Sequence, residues 1–175
     1  MSSMLSDAGL HARVRDHYDD YYAALDDLRL EEWPSFFTAE CLYRIVSREN
    51  FERGFPLSTV LAESRGMLHD RVTGLLKTQM YAPRYYRRFP GPLRLEQDTE
   101  GIRTRHNLLM MQTRVDKQPE VILCGVCHDL LVEEDGRLRF RERIVVFDDR
   151  YVAGSHPQPR AGANGEPKHL AVALP

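Results

Sequence analysis

Apolar residues in the first part of the chain recur at intervals of three and four positions, which is the period of an amphipathic helix. The first stripe runs through residues 10–28, and Ser6 is positioned to cap its amino end. A second, short helix is predicted at residues 33–37, because Pro34 is tolerated in the first turn of a helix. The buried face of the first helix is predicted to carry Val14, Tyr18, Tyr21, Tyr22, Leu25 and Leu28.

The middle of the chain changes period twice. Residues 41–46 include β-branched and aromatic side chains and are predicted as a strand, which leads into a polar loop at residues 50–56. Residues 61–80 return to helical spacing, with Glu63 near the expected amino end and Pro83 as the stop. This third helix is predicted to be the longest in the chain.

After Pro83 the alternation of apolar and polar residues becomes two-fold, as in strands that bury one face. The connections are short and polar, and the dipeptide Asp135-Gly136 is a hairpin signal. Consecutive hairpins imply an antiparallel meander. Strands are predicted at residues 86–97, 102–115, 121–133 and 137–147.

Three amino-terminal helices followed by a strongly curved antiparallel sheet predict an α+β fold, in which one face of the sheet packs on the helices. A chain of 175 residues suits a single domain with one core. We expect this domain to span residues 1–154, because the composition shifts to Gly, Pro, Ala and His after Tyr151. Residues 155–175 are predicted to form a Gly/Pro-rich carboxy-terminal tail.

Composition and charge narrow the classes of function. A net charge of −2 argues against a nucleic-acid binder, which would carry a clear basic excess. No run approaches the ~20 apolar residues of a membrane span, and the amino terminus lacks the basic-then-apolar pattern of a signal peptide. Three cysteines without a dense spacing pattern fit a reducing compartment. We therefore expect a cytoplasmic protein with no nucleic-acid or membrane partner.

The segment Cys124-Gly125-Val126-Cys127-His128 matches the short attachment pattern of a c-type haem. It lies within a predicted strand, where residues three apart point to opposite faces. Cys124 and Cys127 should therefore diverge, while Cys124 and His128 share a face. Attachment of this haem also requires export. We interpret the cysteines as packing residues rather than as haem or metal ligands.

Two arginine-rich segments are candidates for a subunit interface. On the last predicted strand, arginine at every second position places four guanidinium groups on one face, about 6.5 to 7 Å apart. The alternative is a solvated face with acidic partners such as Glu133 or Glu134. The other segment interleaves arginine with tyrosine, which are both enriched in protein interfaces, although it also resembles a stacking platform for single-stranded nucleic acid. The predicted interface residues are Arg84, Tyr85, Tyr86, Arg87, Arg137, Arg139, Arg141 and Arg143.

A curved sheet closed by helices leaves a concave interior, where a desolvated carboxylate can support acid–base chemistry. Five residues could point inward: Asp26, Asp27, His106, His128 and Asp129. Their spacing compels no pair to meet. We therefore expect core or surface roles for them and assign no catalytic residue.

Three segments resemble the small (beta) subunits of aromatic-ring-hydroxylating dioxygenases. Residues 32–43 (EWPSFFTAECLY) resemble the helix that leads into the family's first strand. Residues 64–72 (SRGMLHDRV) resemble its long-helix motif, and residues 103–107 (RTRHN) resemble the start of a central strand. The likeness is greatest to small subunits that serve terephthalate dioxygenase and salicylate hydroxylase.

This resemblance implies a cone-shaped fold of the nuclear-transport-factor-like, or cystatin-like, type. It implies a partner, the large (alpha) subunit, in a heterohexamer that contains three copies of each chain. It also places the Rieske [2Fe-2S] cluster and the mononuclear iron in the large subunit and assigns no catalytic residue to the small one. Residues 124–128 and the apparent insertion at residues 155–168 depart from the family pattern.

The metal-ligating residue types of this chain and their spacing agree with the expectation that the iron centres lie in the large subunit. A Rieske cluster needs cysteine and histidine in two matched pairs, and a mononuclear iron needs two histidines and a carboxylate. Cys41 has no histidine two residues later. The pairs His11 with His17, and His69 with Asp70, do not converge on one helix face. We expect no metal or cofactor in this chain, and we expect these histidines to be solvated or capping residues.

The leading hypothesis is therefore a non-catalytic structural subunit of an oxygenase that acts on an aromatic, carboxylated substrate. The alternative is a stand-alone isomerase or dehydratase on the same cone fold. That alternative requires an inward pair such as His106 or His128 against an aspartate, whereas an interior filled by Met110 and Met111 would exclude it. A third hypothesis is a non-enzymatic module that binds a peptide or small ligand.

Overall fold

The computed structural model describes residues 2–78 and 84–148, and within these ranges three α-helices and one 3₁₀ helix accompany a seven-stranded sheet. The helices are α1 (Ser2–Asp26), the 3₁₀ helix (Trp33–Phe36), α2 (Arg48–Glu52) and α3 (Arg65–Thr78). The strands are β1 (Phe37–Ser47), β2 (Val60–Ser64), β3 (Arg84–Pro90), β4 (Arg94–Gln97), β5 (Ile102–Arg114), β6 (Glu120–Glu134) and β7 (Arg137–Phe147).

The described strands lie in the order β2-β1-β7-β6-β5-β3, and β4 pairs with the first part of β5. The predicted meander is present, because β5, β6 and β7 pair successively as antiparallel neighbours. β1, however, runs parallel to β7. This pairing corrects the prediction of a wholly antiparallel sheet, since no hairpin connects β1 to β7 and sets their relative direction. The α+β class is confirmed.

The helical third of the chain differs from the prediction in three places. Ser6 lies inside α1 rather than at its cap, and α1, with 25 residues, is longer than α3, with 14. Residues 60–64 form a strand instead of the start of the third helix, because Val60 and Ala62 are buried while Leu61 is exposed. The predicted polar loop begins with the short helix α2, which the Ser47 side chain caps by accepting a hydrogen bond from the Asn50 amide.

The strands follow the predicted pattern except that residues 86–97 form two strands, β3 and β4. Pro90 is the last residue of β3 and Pro92 lies within the break, and proline cannot donate to a sheet ladder. The predicted hairpin between β6 and β7 is confirmed, because Asp135 and Gly136 adopt positive φ angles of 53° and 72°.

The core lies between α1 and the inner face of the sheet. It is rich in aromatic side chains that are fully buried, among them Tyr21, Trp33, Phe37, Tyr43 and Phe140. None of the helices in the described ranges has both the length and the apolar character that a membrane span requires. The predicted stop at Pro83, the domain end at residue 154 and the tail at residues 155–175 lie outside the described residues.

Candidate functional site

A network of polar side chains occupies the interior between α1 and the sheet. Two tyrosines, Tyr18 and Tyr22, lie four residues apart on α1 and therefore share its inner face. The sheet contributes alternate, inward-facing residues from β5, β6 and β7. We call this set the inner network; it consists of Tyr18, Tyr22, Thr104, His106, Asp129 and Arg143, each of which is buried.

An ion pair between Asp129 and Arg143 forms the centre of the inner network. Arg143 Nη1 lies 2.6 Å from Asp129 Oδ2, and both side chains are fully buried. Tyr18 donates a hydrogen bond of 2.5 Å to the same carboxylate oxygen, and its hydroxyl also lies 2.6 Å from Thr104 Oγ1. The carboxylate thus accepts two charge-assisted or short hydrogen bonds without access to solvent.

Arg143 connects this ion pair to His106 through a second tyrosine. Its Nη2 donates to Tyr22 Oη at 2.7 Å, and Tyr22 Oη lies 2.7 Å from His106 Nε2. Because the tyrosine oxygen accepts from the guanidinium, its own hydrogen is available to His106 Nε2, which we assign as an acceptor. The guanidinium also lies over the rings of Tyr21, at 4.6 Å, and Phe140, at 4.9 Å.

Burial controls the protonation of these groups. It raises the pKa of Asp129 to about 6, against the opposing effects of Arg143 and the Tyr18 hydrogen bond. Burial also lowers the pKa of His106 to about 3, with a further contribution from the charge of Arg143. For Arg143 itself, burial acts to lower the pKa, but Asp129, Tyr22, Tyr21 and Cys127 together outweigh burial, and the pKa lies well above its ordinary value. At neutral pH the network therefore holds an ion pair and a neutral histidine.

The burial of Arg143 corrects the prediction that four arginines share one strand face. Leu131 pairs with Phe140 but Leu130 pairs with Glu142, so β7 contains one extra residue at Arg141. This bulge shifts the phase of the alternation, and Arg143 turns inward beside Phe140. Because Arg143 is fully buried, no partner chain can contact its guanidinium in this conformation.

The remaining arginines of this strand differ in their surroundings. Arg137 is exposed at the hairpin. Arg139 is partly buried, forms an ion pair with Glu134 at 2.8 Å and donates to the Ser35 carbonyl. Arg141 is also partly buried. The acidic partner considered in the sequence, Glu134, is therefore confirmed for Arg139.

The second arginine-rich segment, on β3, alternates between two environments. Tyr86 and Arg88 are buried, and Arg88 forms an ion pair with Asp26 of α1. Tyr85 and Phe89 point to the opposite, outer side of the sheet and are 54% and 52% exposed, with the exposed Arg87 between them. We call Tyr85, Arg87 and Phe89 the aromatic patch. Arg84, the first residue of β3, is partly buried.

The other candidate residues are dispersed over the fold. Cys124 is exposed and Cys127 is buried, which confirms that they diverge on β6. His128 lies on the outer side of the sheet, where its ring stacks on Phe51 at 5.4 Å. Asp27 forms a surface ion pair with Arg29.

His17 corrects the expectation of a solvated histidine. Its ring packs against Phe140 at a centroid distance of 4.8 Å, and burial lowers its pKa to about 4. Within residues 2–78 and 84–148, His, Cys, Asp and Glu side chains do not gather in a group of three or more that could hold a metal ion.

Sequence reasoning named His106 and Asp129 as inward candidates, and both are buried in the inner network. It did not identify Tyr18, Tyr22 or Arg143 as their partners. The helical spacing of the two tyrosines was the available signal, but it is equally typical of ordinary core residues.

Comparison with known proteins gives a consistent result. A family model described as ring hydroxylating beta subunit matches residues 22–153. The anthranilate 1,2-dioxygenase small subunit of Burkholderia cepacia is 34% identical over 129 residues, which cover 73% of this chain and 80% of that protein. Subunit beta 1 of the terminal oxygenase component of terephthalate 1,2-dioxygenase from a Comamonas species is 31% identical, with coverage of 73% and 84%.

A solved structure shows the same fold. It is a beta subunit from Novosphingobium aromaticivorans assigned to an aromatic-ring-hydroxylating dioxygenase, with a TM-score of 0.76 and 28% identity. The superposition covers 85% of this chain and 95% of that one. This similarity confirms the predicted nuclear-transport-factor-like cone fold.

Proposed function

The chain belongs to the family of ring-hydroxylating dioxygenase beta subunits, and from this premise we propose that it assembles with an iron-carrying large subunit into a complex of three large and three small chains. It is the small subunit of an oxidoreductase. Its own contribution in this proposal is structural: it holds the large subunits next to one another. We propose the cytoplasm as its location.

The inner network is the observation that carries this proposal. Asp129 is paired with Arg143 and Tyr18, and His106 Nε2 is bonded to Tyr22. These hydrogen bonds connect α1 to β5, β6 and β7, which is a structural role. An interior of this kind suits a rigid scaffold.

The aromatic patch is the surface that we propose for contact with a partner subunit. Tyr85 and Phe89 are each about half exposed. On β5, the partly buried Leu109 lies opposite Phe89, and the partly buried Met111 lies opposite Arg87. Aromatic residues, methionine and arginine are enriched in protein interfaces, and exposed apolar clusters of this kind mark interaction sites. Of the predicted interface residues, Tyr85 and Arg87 belong to this surface, whereas Tyr86 and Arg143 are buried.

The exposed part of the arginine strand is a second proposed contact. Arg137 at the hairpin and the partly buried Arg139 and Arg141 present guanidinium groups, which suit carboxylates of a facing chain. Arg84 at the start of β3 is partly buried on the same face as Tyr86 and Arg88, and it remains a proposed contact apart from the aromatic patch.

The cofactors and the substrate belong to the partner in this proposal. The Rieske cluster and the mononuclear iron are carried by the large subunit, because the described part of this chain groups no suitable set of ligands. The relatives are named for anthranilate and terephthalate, which are aromatic carboxylates. We propose that the complex oxidises a substrate of this class.

The stand-alone isomerase or dehydratase is the weaker hypothesis. It requires a histidine against an aspartate, whereas His106 bonds to Tyr22 and the Met110 side chain is fully buried in the core. The relatives are subunits of dioxygenases, so the small-subunit function fits the comparisons better.

Co-expression with the large subunit of the same oxygenase tests the proposal. We expect one species whose light-scattering mass corresponds to three copies of each chain, with iron confined to the large subunit. Tyr85→Ser and Phe89→Ser should each weaken assembly by about thirtyfold, the effect of losing an interface residue worth about 2 kcal/mol. Leu57→Ser is the control, because Leu57 is 67% exposed but lies in the loop before β2.

Separate large and small chains would contradict the proposal. If the complex forms and only the Leu57 variant weakens it, the subunit function stands and the aromatic patch is not the contact. A complex that loses ring oxidation when Asp129→Asn is introduced, although its mass and thermal stability are unchanged, would favour a catalytic interior instead.

A further inference from the structure

A row of basic side chains crosses the outer face of the sheet, opposite the inner network. Arg94 of β4 pairs directly with Arg105 of β5, and Arg105 pairs directly with His128 of β6. Ile144 of β7 is the next residue in the row. Directly opposed residues on one face of an antiparallel pair have Cβ atoms about 4.5 to 5.5 Å apart, and like charges at that distance are destabilising.

The neighbouring row on the same face of the sheet does not place basic residues opposite one another. There, Glu96 lies opposite Arg103, Leu130 separates Arg103 from Glu142, and Arg103 also forms ion pairs with the loop before β5. Arg94 and Arg105, by contrast, form neither an ion pair nor a hydrogen bond with any other residue of the described ranges. Arg94 and Arg105 are both exposed, and because they are directly opposed across β4 and β5, their two guanidinium groups can converge on one anion.

The two rows line a concave cavity of about 430 Å³, which we call the arginine trough. Its apolar lining comes from Leu95, Leu130 and Ile144, of which Leu130 is only 1% exposed. Cavities of roughly 300 to 1,000 Å³ with apolar walls and a few placed polar groups are typical of small-molecule sites. A single aromatic ring occupies about 150 Å³ in a protein cavity, so the arginine trough has room for one ring and its substituents.

His128 adds a donor at the end of the basic row. Burial, and then the charge of Arg105, lower the pKa of this histidine. The imidazole is therefore neutral at neutral pH, and it contributes a hydrogen bond and a flat ring rather than a third charge.

We propose that the arginine trough binds a small aromatic carboxylate, with the carboxylate between the guanidinium groups of Arg94 and Arg105 and the ring against Leu130 and Ile144. Two guanidinium groups supply the charge-assisted, forked hydrogen bonds that a carboxylate accepts. The site is on this chain alone and lies on the opposite face of the sheet from the inner network. It would give the small subunit a binding function of its own, in addition to assembly.

Titration of the full chain with benzoate, followed by amide NMR shifts at constant ionic strength, tests this site. We expect shifts that map to β4, β5 and β6. Arg94→Gln and Arg105→Gln should each weaken benzoate binding at least tenfold, because each removes one charged hydrogen-bond donor. The neutral analogue benzamide and the ring-free anion acetate should each bind at least tenfold more weakly than benzoate.

Arg15→Gln is the matched control, because Arg15 is an exposed arginine on α1 and its loss changes the net charge equally. The trough variants should fold, since removing one of two opposed arginines relieves repulsion; thermal unfolding checks this. Equal affinity for benzoate in the wild type and both trough variants overturns the proposal, as does equal affinity for benzamide.

A third outcome also overturns it. If the chain does not bind benzoate but the two trough variants fail to assemble with the large subunit, the guanidinium pair serves an acidic side chain of that subunit. The titration needs no partner chain, so its result is independent of whether the proposed assembly forms.

Discussion

Replacing Arg143 by methionine tests the inner network most directly. Methionine keeps most of the aliphatic length of arginine but removes the guanidinium, which donates to Asp129 and Tyr22 and lies over the Tyr21 ring. Asp129 then remains fully buried without its counter-charge. Among residues 2–78 and 84–148, the hydroxyl of Tyr18 is then the one hydrogen-bond donor left on the ionised carboxylate of Asp129.

The expected cost follows from this burial. Removing one partner of a buried ion pair costs about 3 to 5 kcal/mol, because an uncompensated charge is left in the core. Domains have unfolding free energies of about 5 to 15 kcal/mol, so the loss is a large part of the total. For a chain of this length, it corresponds to a fall in Tm of about 6 to 20 °C.

Urea denaturation of the full chain, monitored by circular dichroism, measures the difference. Arg139→Met is the matched control on the same strand, because Arg139 forms an ion pair with the partly exposed Glu134. Such a pair is worth at most about 1 kcal/mol. Adding Asp129→Asn to Arg143→Met should recover at least about 1 kcal/mol, since the amide removes the stranded charge but still accepts from Tyr18.

The reasoning would be refuted if Arg143→Met and Arg139→Met were destabilised equally. It would also be refuted if Asp129→Asn added its full cost in the Arg143→Met background, because the two residues would then not be coupled.

Three further predictions concern acid sensitivity and close packing. His106 has a folded-state pKa of about 3, below its ordinary 6.5, so its contribution to the free energy of unfolding is full above pH 6.5 and is lost as the pH falls. Between pH 6.5 and 4.5, unfolding curves should therefore show the wild type losing about 2 kcal/mol of stability relative to His106→Gln. The pH dependence of the Asp129 contribution has the opposite direction, because its folded-state pKa of about 6 exceeds its ordinary 3.8. This contribution to stability is full below about pH 4 and is lost as the pH rises through 6, so the wild type should lose up to about 3 kcal/mol relative to Asp129→Asn over that interval. A stability difference between the two proteins that does not change with pH would contradict the raised pKa of Asp129. A Cβ at Gly125 would lie 2.1 Å from the Val146 carbonyl oxygen, so Gly125→Ala should lower the thermal midpoint or prevent folding. Gly9→Ala is the control: Gly9 has open space around it in helix α1, and the substitution should stabilise the protein by about 0.5 to 1 kcal/mol. Equal thermal midpoints for the two variants would contradict the close approach at Gly125.

The sequence by itself determined the local elements of this protein. The stripe of apolar residues that begins near Leu10 predicts α1, and two-residue alternation predicts β5, β6 and β7. The hairpin at Asp135-Gly136 also follows from sequence, because few residue pairs adopt two positive φ angles at low cost. The family resemblance of residues 32–43, 64–72 and 103–107 indicated the function that the comparisons bear out.

The candidate site was only partly predictable from sequence. His106 and Asp129 were named as residues that could point inward, and they do. Arg143 was assigned to an exposed row, because arginine at every second position continues an unbroken alternation. The bulge at Arg141 breaks that alternation, and the run of apolar residues after Arg143 gives no sign of it, since both faces of the strand are apolar there.

Only the tertiary structure decided which elements meet. β1 pairs in parallel with β7, although the two strands are far apart in the sequence. No local period of apolar residues encodes such a pairing. The inner network likewise combines Tyr18 and Tyr22 of α1 with residues of three strands that are distant in sequence. Local patterns record which face of an element is buried. The partner that a buried charge such as Arg143 finds depends on the register and the bulges of the assembled sheet, and these are set by packing of the whole core.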